Sequence, residues 1–240
     1  MFKTFINSFF SFHYILKTFN YLNEIHFFVQ VGAHDGLMHD PLHFFLSSNR
    51  WNGILIEPQK EMLTLFKNRY KHRDNLFFSE SAVHPTESRV KLFKIKNPEN
   101  YSQTGWATIT PNGLSDHQGE KELEVIVVKA MHLMKIIQNT NFKKIDLLQI
   151  DTEGFDYEVL KMFDFKLYKP LLVQYEHCHL SKENFKKSIN ILCDNGYLTL
   201  RKKNDVIAIK KENIKIKFIF YYLFFRLSAS FKSRIGSQSN

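Results

Sequence analysis

Apolar residues recur along the chain in two alternating rhythms. Residues 25–31 (Ile25-His26-Phe27-Phe28-Val29-Gln30-Val31) carry five apolar side chains in seven positions, the pattern of a strand buried on both faces. Residues 53–56, 76–83, 145–150 and 171–175 read the same way. Helical spacing fills the gaps. Leu42, Phe45 and Leu46 mark a helix over about 37–49, and Met62, Leu63 and Phe66 mark one from Pro58 to about Tyr70. Met131–Ile137 reads as a further helix, and Tyr157, Val159, Leu160 and Phe163 mark the next. The last runs from the N-cap Ser181 to Asn195, stopped by Gly196. Residues 197–200 and 206–209 close the pattern as a hairpin. Strand and helix alternate throughout, which predicts an α/β fold with parallel pairing and helices on both sheet faces.

Three stretches depart from this rhythm. Residues 90–95 and 123–128 alternate like strands around a polar, glycine-containing loop at 97–120, too long for a simple connection and read as an inserted lid. Residues 1–23 place Phe2, Phe5, Ile6, Phe9, Phe12, Ile15, Leu16 and Phe19 at helical spacing, as a helical extension covering the edge of the core. Residues 212–240 form a basic aromatic tail, in which Phe218–Phe225 are flanked by Lys215, Lys217, Arg226, Lys232 and Arg234. As a helix those eight apolar residues extend only about 12 Å, so the tail docks on the N-terminal helix or lies on a membrane surface. The fold proper is expected over 24–211.

Composition narrows the picture further. At 240 residues one sizeable core is expected. The net charge of +9 invites a nucleic-acid reading, but Lys, Asn, Ile and Phe are all abundant and no compact Arg-rich patch appears, so nucleic acid is not the expected partner. Cys178 and Cys193 suggest no disulfide framework, and a reduced, cytoplasmic setting is expected. The Phe-rich N-terminus is broken by Asn7, Ser8, Ser11 and His13 and is read as neither a signal peptide nor a membrane span.

Right-handed crossovers bring the strand ends to one sheet edge. Gly32–Gly36, Glu57, Ser81–Ala82, Asp151–Glu153 and Glu176–His177 all fall there. Glu57 ends the second strand 21 residues after Gly36, where an acid accepts hydrogen bonds from ribose hydroxyls. The carboxylate alone does not separate a nicotinamide dinucleotide from S-adenosylmethionine. The dinucleotide fingerprint G-x-G-x-x-G is absent, however, because Ala33-His34-Asp35 replaces its middle.

The stretches Val29–Gly36, Ile56-Glu57-Pro58 and Asp146–Asp156 together resemble the FkbM-like methyltransferases, with Ile150-Asp151-Thr152-Glu153-Gly154-Phe155-Asp156 the most specific part. The resemblance covers about 25–210. It implies a Rossmann-like class I methyltransferase fold, with a mainly parallel seven-stranded sheet and an antiparallel C-terminal hairpin. It also implies methyl transfer from S-adenosylmethionine to a hydroxyl of a sugar, glycan or related small molecule. By position, Gly32 and Gly36 pass under the methionine part of the cofactor, and Gln30 and Ala33 are further cofactor-binding positions. Glu57 binds the ribose, Ser81 and Ala82 lie near the adenine, and Asp151 faces the sulfonium. Gln30 and Gln149 stand where relatives usually carry Asp and Lys.

His177, His34 and Asp151 are the candidate bases for deprotonating the acceptor, with His177 ranked first. Glu153 and Trp106 are candidate substrate contacts. His39 with His43, and His177-Cys178-His179, lack an obvious third ligand, so no metal is expected. Two rival readings are a nicotinamide-dependent oxidoreductase and a non-catalytic binding protein at a membrane surface.

Overall fold

The computed structural model describes residues 11–22, 24–48, 51–110 and 122–236. Phe2, Phe5, Ile6, Phe9 and the 111–120 part of the expected lid lie outside these. In chain order the elements begin with α1 (Phe12–Tyr21), β1 (Phe27–Val31), α2 (His43–Ser48), β2 (Asn52–Ile56), α3 (Lys60–Arg69) and β3 (Leu76–Ser79). Next come β4 (Ala82–Val83), β5 (Arg89–Ile95), a 3₁₀ turn at Tyr101–Gly105, β6 (Ala107–Thr108) and β7 (Leu123–Met131). The C-terminal half holds α4 (Leu133–Gln138), β8 (Leu147–Ile150), α5 (Asp156–Met162), α6 (Phe165–Tyr168), β9 (Leu172–Glu176) and α7 (Lys182–Asp194). The chain closes with β10 (Tyr197–Arg201), β11 (Asp205–Lys210) and α8 (Ile216–Gly236).

Seven strands form one sheet in the order β10-β11-β9-β8-β1-β2-β3. Pairing is parallel from β9 to β3, and β11 runs antiparallel to both β9 and β10. This is the α/β fold that the strand–helix rhythm predicts, with its C-terminal hairpin in place. Alternation along each strand divides the core between the two sheet faces. Val29, Val31, Ile54, Ile56, Leu148 and Ile150 point to one side, against α4, α5 and α7. Phe28, Leu55, Leu147 and Leu172 point to the other, where Ile15, Phe19, Phe45, Phe66 and Phe218 cover them.

The fold departs from the sequence pattern in two places. The strand expected over 76–83 divides at Ser79-Glu80-Ser81, and β4 leaves to start a second sheet ordered β4-β7-β5-β6. The helix expected over 37–49 is confined to α2. Asp35 and Asp40 turn their side chains onto the N–H groups of Leu37, Met38 and Leu42, holding 35–42 in polar turns instead. Helix α8 packs on α1, with the Phe19 and Phe218 rings 4.7 Å apart and Lys217 Nζ 3.4 Å from a Glu24 carboxylate oxygen.

Candidate functional site

A cleft of about 1010 Å³ of empty space, its mouth included, opens above the C-terminal ends of β1, β2 and β8. Its floor is the turn after β1. The Gly32 and Ala33 N–H groups both donate to the Ile56 carbonyl, at 2.9 and 3.1 Å. Gly32 has φ +79°, and a Cβ there would lie 1.7 Å from the Asp151 carbonyl oxygen, so the ends of β1 and β8 meet with no room for a side chain. Gln30, Gly32, Ala33, His34, Glu57, Ser81, Ala82, Asp151, Glu153 and Trp106 all line the cleft. Gly36, with φ +68°, packs below it, where a Cβ would lie 2.5 Å from the Phe66 ring.

Polar residues on this wall are tied to specific partners. The buried Glu57 accepts the N–H of His34 at 2.9 Å on one carboxylate oxygen and that of Gln59 at 2.8 Å on the other. Burial pushes its pKa up to about 7. The Gln30 amide donates to Asp40 Oδ1 at 2.9 Å, and burial lifts Asp40 to about 6. Gln30 Oε1, Asp40 Oδ2 and Gln149 Oε1 are buried oxygens of the lining with no hydrogen-bond partner among the described residues. Gln30 and Gln149 stand opposite each other across β1 and β8. The cleft therefore presents three acceptors in want of donors.

The far wall is acidic. Asp151 keeps open surface toward the cleft. Enclosure by protein, and then the charges of Glu176, Glu153, Asp156 and Asp205, raise its pKa well above the ordinary value. Burial, then Glu153 and Asp156, lift Glu176 to about 7. Asp156 is fully buried and raised to about 6, accepting from the Thr152 hydroxyl at 2.9 Å and the Glu176 N–H at 3.2 Å. His179 Nε2 sits between Glu153 and Glu176, at 3.1 and 3.5 Å. One ligand atom from each of Asp151, Glu153 and Glu176 lies within 4.8 Å of the others, and the same holds for Glu176, Cys178 and His179. The pairs His39 and His43 are engaged separately: His43 Nδ1 lies 3.0 Å from the Gly36 carbonyl oxygen and His39 Nε2 3.4 Å from Ser102 Oγ.

A strap over 101–108 crosses the mouth. The Tyr101 hydroxyl donates to Asp35 at 2.8 Å, Gln59 Nε2 donates to the Thr104 carbonyl at 3.1 Å, and the Thr108 hydroxyl donates to the Glu153 carbonyl at 2.8 Å. His34 and Glu153 adopt left-handed backbone, φ 46° and 51°, beneath it. Burial opposes ionisation of Asp35, but the Met38 N–H and the Tyr101 hydroxyl hold its pKa below the ordinary value. Asp40, Gln59, Tyr101 and Thr104 are site residues that the sequence pattern did not single out, and it placed Asp35 and Glu176 at the sheet edge without a role. The Asp35-Gly36 turn signal was visible, and the strap contacts were not.

One of the expected bases lies away from the cleft. His177 is buried but does not line the cleft. Its Nε2 lies 3.2 Å from both the Lys202 carbonyl oxygen and Arg201 Nε, and its ring packs on Phe185. It follows Glu176, and successive side chains at a strand end turn to opposite faces. His34 lines the cleft as expected, with Nδ1 3.3 Å from Asp35 and Nε2 3.0 Å from Thr104 Oγ1 of the strap, so both ring nitrogens already have neighbours. Burial lowers its pKa. Asp151 remains as the candidate with a free path to the cavity.

These carboxyls set an expected pH dependence. Asp40, Glu57, Asp151, Asp156 and Glu176 have folded pKa values above their unfolded ones, so between about pH 4 and 7 the folded chain holds more protons. Stability without ligand then falls as pH rises through that window. His13 and His34, lowered mainly by burial, oppose the trend but are fewer. Thermal melts from pH 5 to 7.5 should show a falling midpoint, and a rising one would contradict this charge arrangement.

A model of the methyltransferase FkbM domain matches residues 30–199, and the chain belongs to that family. Among solved structures, an FkbM methyltransferase from Methylobacillus flagellatus is similar at 14% identity and TM-score 0.49, over 77% of this chain and 43% of that one. A ribosomal protein L11 methylase from Lactobacillus delbrueckii is similar at 10% identity and TM-score 0.40, over 82% of this chain and 74% of that one. A precorrin-6y C5,15-methyltransferase from Geobacter metallireducens is similar at 11% identity and TM-score 0.40, over 82% and 88%. No curated protein matches the sequence.

Proposed function

We propose that the cleft binds S-adenosylmethionine and that the protein methylates a hydroxyl oxygen of a sugar, glycan or related small molecule. One observation carries the cofactor reading. In a chain of net charge +9, the described residues lining the cleft include four carboxylates (Asp40, Glu57, Asp151 and Glu153) and no Lys or Arg. Such a wall suits a cationic ligand and repels the pyrophosphate of a nicotinamide dinucleotide. The three unpaired oxygens of Gln30, Asp40 and Gln149 fit the ammonium of the methionine part. Each Glu57 oxygen, holding one backbone N–H, keeps a lone pair for a ribose hydroxyl. Ala82, Val83 and Leu92 offer an apolar surface suited to the adenine.

The cofactor, when bound, supplies a methyl group on a positively charged sulfur. The protein's own part is to orient the acceptor and accept its proton. Asp151, with open surface in the cleft, is the proposed group for that role, and Trp106 and Glu153, also in the lining, are the proposed contacts to the acceptor. The sugar preference rests on the family.

A thermal-shift panel tests the reading. S-adenosylhomocysteine should raise the melting midpoint and NAD(H) should not; stabilisation by NAD(H) alone would favour the oxidoreductase, and no shift with either a non-catalytic protein. Glu57→Ala should weaken S-adenosylhomocysteine binding by about 10- to 100-fold, the loss of a charged acceptor for the ribose hydroxyls. Unchanged affinity in calorimetry would remove Glu57 from the site.

A further inference from the structure

Helix α8 is apolar on two opposite sides. Phe218 and Tyr222 face inward and are buried, joining the core beneath α1. Ile216, Ile219, Phe220, Leu223, Phe224 and Leu227 face outward, with Ile216 87%, Phe220 65% and Leu227 63% exposed. Their spacing of three and four residues places them on one stripe of the helix. Exposed apolar residues scattered singly need no explanation, but a continuous stripe marks a contact surface.

What covers it is indicated by charge. At 3.6 residues per turn, Lys217, which also pairs with Glu24, falls along one border of the stripe, beside Phe224, and Arg226, over the Tyr14 ring, along the other, beside Ile219. Residues 213–240 contain five basic side chains and no acidic one. The stripe also runs into an apolar cavity between α8 and the β10–β11 hairpin, lined by Leu198, Leu200, Ile209, Ile219 and Leu223 among others. Among the described residues no helix is long and apolar enough to cross a membrane. An apolar stripe edged by cations, opening into an apolar cavity, is complementary to the boundary between anionic headgroups and acyl chains.

We propose that the outer face of α8 rests on an anionic lipid bilayer, with Phe220, Phe224 and Leu227 inserted at the acyl boundary and the bordering cations on the headgroups. The full chain should cosediment with phosphatidylcholine vesicles containing phosphatidylglycerol at least about tenfold better than with pure phosphatidylcholine vesicles. High salt should weaken that binding. The combined substitution Phe220→Ser, Phe224→Ser and Leu227→Ser removes only exposed side chains. It should abolish vesicle binding while leaving the melting midpoint and the S-adenosylhomocysteine shift in place. Should the triple variant misfold, Phe220→Trp gives a second reading: its added fluorescence should shift to shorter wavelength when anionic vesicles are titrated in. Equal sedimentation of the wild-type and folded triple variant, or an unshifted spectrum, would overturn the proposal. So would a concentration-dependent dimer that the triple substitution dissolves without any vesicle binding, since the stripe would then meet a second copy of the chain.

Discussion

Replacing Gly32 with alanine is expected to lower the melting midpoint by about 5–15 °C and to abolish S-adenosylhomocysteine binding. Two costs combine at this position. Its φ of +79° lies where an L-residue is strained, and the new Cβ would lie 1.7 Å from the Asp151 carbonyl oxygen, which belongs to backbone and has no side-chain freedom to yield. Strain and overpacking together cost about 2–5 kcal/mol. Relief requires β1 and β8 to separate at the cleft floor, which moves the Asp151 side chain and the N–H of His34 that Glu57 holds. Gly105→Ala is the control. It also lines the cleft, but its Cβ would meet nothing nearer than His34 Nε2 at 3.8 Å, so stability should change little. Calorimetric melts and ligand titrations of both variants check the contrast. An alanine at 32 that melts and binds like the wild type would mean that the floor is more yielding than its contacts indicate.

The floor was legible in the sequence because its physics is local. Parallel strands buried on both faces are near-continuous apolar runs, and each run here ends in a small or acidic residue that projects from the sheet edge. The two glycines announce the turn. The strap is different: its contacts join residues 66 apart (Tyr101 and Asp35), 70 apart (Thr104 and His34) and 45 apart (Thr108 and Glu153). Each partner alone is an ordinary polar loop residue, so no spacing betrays the pairing. His177 failed for a geometric reason. At a strand end one residue's shift reverses the face, and Glu176, its neighbour, is the one that meets Asp151 and Glu153.

Gln30 shows a subtler limit. The resemblance implies an acid at this position, and the sequence has an amide. In the structure that amide donates to Asp40, ten residues on, and Asp40 brings a carboxylate to the same end of the cleft. The carboxylate at this end of the cleft comes from Asp40 rather than from position 30. Reading 37–49 as one helix concealed this, because Asp40 then belongs to a helix turn and not to the cleft wall. The Gln149 change has no such counterpart: its Oε1 has no partner among the described residues.

Asp151→Asn is expected to lower the rate of methyl transfer by about 10²–10⁴-fold, the usual contribution of a positioned base, while S-adenosylhomocysteine affinity changes far less. Of the three expected bases, Asp151 is the one whose side chain is exposed in the cleft and is not committed to the strap or the hairpin. Its enclosure, and the neighbouring charges of Glu176, Glu153, Asp156 and Asp205, raise its pKa, and a carboxylate that holds protons more tightly is a stronger base toward a hydroxyl. The same shift fixes the sign of the pH profile. A base works only when deprotonated, so transfer should rise with pH through the raised Asp151 value and then level off, opposite to the fall in ligand-free stability over the acidic part of that range. Release of S-adenosylhomocysteine, followed over a panel of hydroxylated sugars from pH 5 to 9, measures both effects. In Asp151→Asn the rising limb should disappear along with the rate. A variant that keeps the wild-type rate, or loses rate while keeping the same limb, would transfer the base role to another group of the acidic wall, with Glu153 and Glu176 the nearest candidates.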